Sequence, residues 1–548
     1  METASIALPA QGMGIKPDSH HKPELHHRHG LGTFLTAGVL LVIGLGYGTW
    51  SIIRDVSDTG VHATTILPFL LLGIALLIAL GFEFVNGFHD TANAVATVIY
   101  THSLPAEVAV MWSGFFNFLG VLVSSGAVAF GIISLLPVEL ILQVGSSAGF
   151  AMVFALLIAA IMWNLGTWWL GLPASSSHTL IGSIIGVGIA NALMHGRDGT
   201  SGVDWAQATK IGYSLLLSPA IGFGCSALLL FAVKAFVKNR ELYEEPKGKA
   251  PPPWWIRGLL VLTCTGVSFA HGSNDGQKGM GLIMLILVGT VPMAYALNRA
   301  MPASHVMEFA AVAEVAHQAI DKTATSLTPP AASAPADQRR ALAEYVRTRT
   351  FNDQVLPALS LMIANLGEAV KQYGTLAKVP IAAVANIRND MYLASESIKF
   401  LSKDSKVPLD ADTRAKLKAL KPQLDDATKF IPLWVKVIVA IALGLGTMVG
   451  WRRIVVTVGE KIGKSHLTYA QGASAELVAM VTIGLADTFG LPVSTTHVLS
   501  SGVAGTMAAN RSGLQLSTLR NLAMAWVLTL PVAMLLSGSL YWLFSHLF

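Results

Sequence analysis

The sequence predicts an all-α, polytopic transmembrane protein with two inverted repeats and broken or re-entrant helices, on the strength of three observations. Of 548 residues, 53% are hydrophobic and only 13% are charged, about half the charged fraction of a soluble domain at roughly 25%. The charges are also segregated: no Asp, Glu, Lys or Arg lies between Asp58 and Glu83, Glu107 and Glu139, Glu139 and Arg197, or Asp487 and Arg511, and none follows Arg520. Such intervals hold one or two spans of about 20 apolar residues, whereas a soluble core would still need charge on its outer face. Finally, two long motifs each occur twice in the same order.

Mean hydropathy is +0.57, net charge +5 and the isoelectric point about 9.0. The basic residues gather in loops, which suits the positive-inside rule rather than a nucleic-acid partner. Cys225 and Cys264 sit in apolar runs and give no disulfide or metal pattern.

Taken in order, residues 1–30 are a polar, His-rich tail containing His20, His21, His26, His27 and His29, expected to be disordered. Residues 31–60 carry an extra transmembrane helix, with no small-residue cleavage site after its apolar stretch. Candidate spans follow at 66–86, 107–136, 147–171, 175–194, 208–237, 254–275, 279–298, 432–450, 474–490, 494–510 and 519–547, with 88–101, 175–194 and 494–510 short or re-entrant. They divide into a first repeat (61–240), the start of a second (241–300) and its remainder (432–548). Between them, residues 301–431 are charge-rich, with apolar Val355, Leu359, Met362, Ile363, Leu366 and Val370 at helical spacing. This stretch reads as a cytoplasmic helical insertion. The loop 238–257, with Lys238, Arg240, Lys247, Lys249 and Arg257, is also expected in the cytoplasm. Arg452 and Arg453 make both ends of span 432–450 basic and do not fit a simple alternation.

The repeats are explicit. Gly81-Phe-Glu-Phe-Val-Asn-Gly-Phe-His-Asp90 matches Gly266-Val-Ser-Phe-Ala-His-Gly-Ser-Asn-Asp275 at an offset of 185. Gly171-Leu-Pro-Ala-Ser-Ser-Ser-His178 matches Gly490-Leu-Pro-Val-Ser-Thr-Thr-His497 at an offset of 319. The difference approximates the length of the charged insertion, so one unit was duplicated and its second copy interrupted. With about five spans in the first copy, the second lies inverted, an architecture that binds substrate between the halves.

Each motif carries chemistry. Gly-Leu-Pro followed by Ser175, Ser176 and Ser177, or by Ser494, Thr495 and Thr496, reads as a helix start with capping hydroxyls, free N–H groups and a positive dipole end. Two such ends suit a tetrahedral oxyanion; hydroxyls that merely join helices are the bland alternative. Asp90 and Asp275 lie in apolar surroundings near Asn93, Asn274, Gln277 and Lys278. A charge at the bilayer centre costs about 2.5–3.5 kcal/mol, so each is by default a functional candidate, a structural ion pair within the bundle being the bland alternative. Glu83 and Glu476 are read as structural. His178 and His497 would bind the anion, carry protons or simply be bonded within helices.

On these residues the chain resembles the inorganic phosphate transporter (PiT) family over residues 66–548. Gly87-Phe-His-Asp-Thr-Ala-Asn-Ala94 and Gly272-Ser-Asn-Asp-Gly-Gln-Lys-Gly279 are similar to its paired signatures. The resemblance implies phosphate–cation symport, with phosphate on Ser175, Ser176, Ser177, Ser494, Thr495 and Thr496. Asp90, Asn93, Asn274, Asp275 and Gln277 would hold substrate or cation, and His89, Lys278, His178 and His497 would serve coupling. His89 and Lys278 replace Asn residues of the sodium-coupled signatures, and Asn117 stands where animal members have Glu. These departures resemble the bacterial proton-coupled, low-affinity branch, whose substrate is thought to be a neutral divalent metal–phosphate complex.

The expected partners are therefore inorganic phosphate, protons, divalent metal ions and the lipid bilayer, in a bacterial cytoplasmic (inner) membrane. A homodimer is an open alternative. No cofactor, resident metal or nucleic acid is expected. Competing readings are a sodium–phosphate or sulfate symporter and an ion channel. An enzyme is disfavoured because no Gly-x-Ser-x-Gly, His-Glu-x-x-His or P-loop signature occurs.

Overall fold

The computed structural model describes residues 23, 25, 31–60, 67–136, 138–142, 146–246, 248, 250–324 and 334–547. The His-rich tail lies outside them, apart from Pro23 and Leu25. Helix α1 (Leu31–Ser57) precedes the first repeat: α2 (Leu67–Tyr100), α3 (Ala106–Val123), α4 (Ala127–Ile133), α5 (Val138–Leu142), α6 (Ser147–Trp169), α7 (Ser176–Met194) and α8 (Trp205–Phe236). The second repeat opens with α9 (Trp254–Thr290) and the short α10 (Pro292–Tyr295). The insertion contributes α11 (Ala303–Ala324), α12 (Pro335–Thr348), α13 (Val355–Tyr373), α14 (Ile381–Leu401) and α15 (Ala411–Thr428). The repeat resumes with α16 (Leu433–Thr447), α17 (Arg452–Val456), α18 (Tyr469–Thr488), α19 (Thr495–Ala509) and α20 (Leu516–Leu547). Among the described residues there is no strand, only an isolated bridge between Gly463 and Leu514. The chain is an all-α integral membrane protein: α1, α2, α3, α6, α7, α8 and α20 are each long and apolar enough to cross a bilayer.

Two expectations are corrected. The spans 254–275 and 279–298 are joined without a break at 276–278 in one helix, α9, which ends at Thr290 before the short α10, and the segments 66–86 and 88–101 are one helix, α2. The polar dip at Asn274–Lys278 resembles a break in hydropathy, but Lys278 and Asp275 pair three residues apart on one face and neutralise each other inside a continuous helix. The loop 238–257 precedes α9 and the insertion follows it, so the two basic segments stand at opposite ends of this 37-residue helix. Contacts agree. Near the loop, Arg257 donates to Ser103 O (2.8 Å) and the His466 N–H to Glu245 (3.0 Å). On the insertion, Arg349 pairs with Asp204 (2.8 Å) and Arg388 donates to Ile141 O (3.2 Å).

The repeats exchange partners as a twofold axis between them requires. Helix α3 packs on α9 and α16 on α2; α7 packs on α20 and α19 on α8. Close crossings match residue for residue. A methyl group at Gly87 would lie 2.3 Å from Leu443 O, and one at Gly446 would lie 2.1 Å from Phe84 O. Their counterparts are Gly272, 2.1 Å from Asn117 O, and Gly120, 2.1 Å from Phe269 O. Only glycine permits backbones this close. In each repeat the second span is broken, between α3 and α4 at Ser124–Gly126 and between α16 and α17 at Met448–Trp451. Arg453, part of the basic pair that fits no simple alternation, lies just past the second break, donates to Trp169 O (2.7 Å) and lies over the Trp168 and Trp169 rings.

The insertion folds around its own core. Val355, Leu359, Met362, Ile363, Leu366 and Val370 are all buried. Helix α15 meets α16 at a bend of 71°. Buried Glu396 accepts from Lys399 (2.7 Å) and Lys429 (3.3 Å). Burial alone would lift its carboxyl, but Lys429 and Lys399 together hold it below the ordinary value.

Candidate functional site: two hairpin turns meeting on Asp90

Helices α6 and α7 form one hairpin and α18 and α19 its counterpart. Gly171 (φ +68°) and Gly490 (φ +62°) supply the left-handed residue that ends the first helix of each. Leu-Pro then runs extended to a capping serine. Ser175 accepts the His178 N–H (3.2 Å) and Ser494 the His497 N–H (3.1 Å). Each turn is held by the opposite repeat: Trp526 donates to Pro173 O (3.1 Å) and Ser214 to Pro492 O (3.1 Å).

The two helix starts converge. Ser177 donates to Val493 O across the hairpins (2.7 Å). Ser176 donates to Asn86 (2.6 Å) and to Asp90 Oδ2, while Thr496 donates to Asp90 Oδ1 (2.5 Å). One carboxylate on α2 thus receives a hydroxyl from each repeat. His89 Nδ1 lies 3.3 Å from Asp90 Oδ1, and its Nε2 lies 3.1 Å from Thr167. The His178 and His497 rings are 4.6 Å apart, and His497 stacks on Trp526 at 4.1 Å.

On α9, Lys278 Nζ contacts Asp275 Oδ2 at 2.5 Å, with both side chains fully buried. His271 Nδ1 lies 2.8 Å from Asn117 Oδ1, and its Nε2 lies 3.5 Å from Asp275 Oδ2. Asp90, His271 and Asp275 each offer a ligand atom within 4.8 Å of the others. Two atoms of this cluster, His271 Nε2 and Asp275 Oδ1, are buried without a hydrogen-bond partner, as is Thr495 Oγ1 at the start of α19.

Asn274 and Gln277 lie at the edge and are engaged by the protein. Asn274 donates to Leu491 O (3.1 Å), bracing the second turn. Gln277 accepts the Val128 N–H (2.9 Å) and donates to Asp487 (2.6 Å), bracing the break before α4. Asn93 is on α2, but its side chain is outside the described residues. Sequence reasoning overlooked Asn86 and His271, although the 185-residue register aligns them with each other; Thr167 and Asp487 had no such signal.

The arrangement can place an anion against two helix N-termini, with carboxylates and imidazoles close enough to hold a cation beside it.

The chain is similar in sequence to known proteins. Residues 86–537 match the model of the phosphate transporter family. The chain is 44% identical to the low-affinity inorganic phosphate transporter PitA of Escherichia coli (strain K12), over 86% of this chain and 96% of that protein. It is 41% identical to PitB of the same strain, with the same coverage. A solved structure, the sodium-dependent phosphate transporter, aligns over 87% of this chain and 100% of its own at 20% identity and a TM-score of 0.47. The family model and these two relatives place the chain among transporters rather than enzymes: it belongs to the phosphate transporter family.

Proposed function

We propose that this protein imports inorganic phosphate across a bacterial cytoplasmic membrane by secondary active transport, in symport with protons and with a divalent metal–phosphate complex as the species carried. The observation behind this reading is the convergence of two capped helix starts on Asp90, with hydroxyls from both repeats. Backbone N–H groups at two helix ends, with Ser175, Ser176, Ser177, Ser494, Thr495 and Thr496, form a receptor for phosphate oxygens.

The carboxylates constrain what enters. Two buried acids, Asp90 and Asp275, repel a bare anion at short range. Lys278 offsets one of them. The remainder is offset when phosphate arrives with positive charge. Asp90, His271 and Asp275 are spaced to hold a divalent cation carried in with it, and His89 lies against Asp90. The ammonium of Lys278 takes the place that a coupling Na⁺ would need.

Proteoliposomes test this by uptake of labelled phosphate under one imposed gradient at a time. Uptake should follow an inward proton gradient, need Mg²⁺ or a similar ion on the loading side, and collapse with a protonophore. Uptake that follows a sodium gradient and ignores pH would overturn the coupling assignment.

A further inference from the structure

A second buried acid packs against Gly279, the residue after Lys278, and the chemistry above leaves it unused. Glu83 is on α2, seven residues before Asp90, so both face the same side of the helix two turns apart. It is completely buried. Asn86 Nδ2 lies 3.5 Å from its Oε2, and its Oε1 has no hydrogen-bond partner. The carboxyl is pressed against α9 beside Lys278: a methyl group at Gly279 would lie 2.3 Å from Glu83 Cγ and 2.4 Å from Oε1. Glycine at 279 is what makes room for it. Two buried carboxyls, Glu83 and Asp275, therefore meet the stretch of α9 that carries Lys278, and in this structure its ammonium is on Asp275.

The other packed elements bring little charge to this place. Helix α6 has no Asp, Glu, Lys or Arg, and α3 has only Glu107 in its first turn. Lys436 of α16 is occupied with Ser124 O (2.7 Å). On α2 and α9, the titratable groups at this level are Glu83, Asp275 and Lys278, with His271 one turn beyond Asp275. An ionised Glu83 with Lys278 held on Asp275 would be an uncompensated buried charge, which proteins avoid by neutralising the group.

We propose that Glu83 takes up the co-transported proton and that Lys278 moves between two carboxyls as it does so. With Glu83 ionised, Lys278 pairs with it and Asp275 stands unneutralised, repelling the anion. When Glu83 binds a proton, Lys278 passes to Asp275, as observed, and the site loses one negative charge. Phosphate and proton then bind together. On release the anion leaves, the proton leaves Glu83, and Lys278 returns. One proton is gained and lost per cycle, with no other bond made or broken.

This rests on the proton-symport reading, and the test separates the two. Wild type, Glu83→Gln and Glu83→Asp are reconstituted, and two activities are measured: phosphate accumulation driven by a proton gradient, and phosphate–phosphate exchange, which needs no net proton movement. Glu83→Gln, fixed in the neutral form, should keep exchange within about threefold of wild type and lose gradient-driven accumulation at least tenfold. Glu83→Asp should retain accumulation with a displaced pH optimum. Wild-type accumulation in Glu83→Gln overturns the assignment, as does loss of both activities in well-inserted protein together with an unshifted optimum in Glu83→Asp. If wild type itself ignores the proton gradient, the symport reading fails first and takes this inference with it.

Discussion

Thr496→Val isolates the contact that joins the two repeats at the candidate site. Valine keeps the volume and β-branching of threonine and removes only the hydroxyl, so helix α19 and its packing stay intact. What is lost is the 2.5 Å hydrogen bond to Asp90 Oδ1, made across 406 positions of sequence. A hydrogen bond to a charged group contributes about 1.5–3 kcal/mol, and Asp90 and Thr496 are both buried, which favours the upper part of that range. At about 1.4 kcal/mol per decade this is a roughly 10- to 150-fold weakening of half-saturation or of transport efficiency. Thr496→Ser, which keeps the hydroxyl, should stay within about threefold of wild type. The assay is labelled phosphate uptake in proteoliposomes, normalised to inserted protein and run over a range of phosphate concentrations. Wild-type kinetics in Thr496→Val would refute the reasoning, and so would equal damage in Thr496→Ser and Thr496→Val, since the hydroxyl would then not be the operative group.

Two further outcomes follow from the packing. Gly272→Ala would place a methyl group 2.1 Å from Asn117 O at the α9–α3 crossing, forcing the helices apart; membrane-inserted, detergent-stable protein should fall severely, whereas Gly258→Ala on the same helix, with open space around it, should be tolerated in the same size-exclusion assay. Single cysteines introduced at exposed Arg240 and at exposed Lys371 should be labelled by a membrane-impermeant reagent from opposite sides of sealed vesicles, and labelling of both from one side would contradict a single crossing of α9.

Much of this molecule was legible in one dimension. Charge-free intervals and paired motifs are properties of the string itself, because the bilayer penalises each charge wherever the chain folds and a duplication keeps its register. Membrane class, two repeats, the charged insertion and its buried stripe on α13 followed from that. The hydroxyl runs were also readable as helix starts, since Gly-Leu-Pro followed by serine encodes a local turn and cap. Helix continuity was not readable at Asn274–Lys278, because hydropathy counts each polar residue separately and cannot see that Asp275 and Lys278 cancel each other. Nor could it place loop 238–257 and the insertion at opposite ends of one helix, which depends on that continuity. The partners of the hydroxyls were decided only by the tertiary structure. Ser176 and Thr496 reach the same carboxylate because α7 and α19 arrive from different repeats, and a contact spanning hundreds of residues leaves no local trace. The same holds for His271 within reach of Asp90, and for Glu83 against Gly279: in each case the packing of α2 on α9 brings together groups that the chain keeps 181 and 196 residues apart.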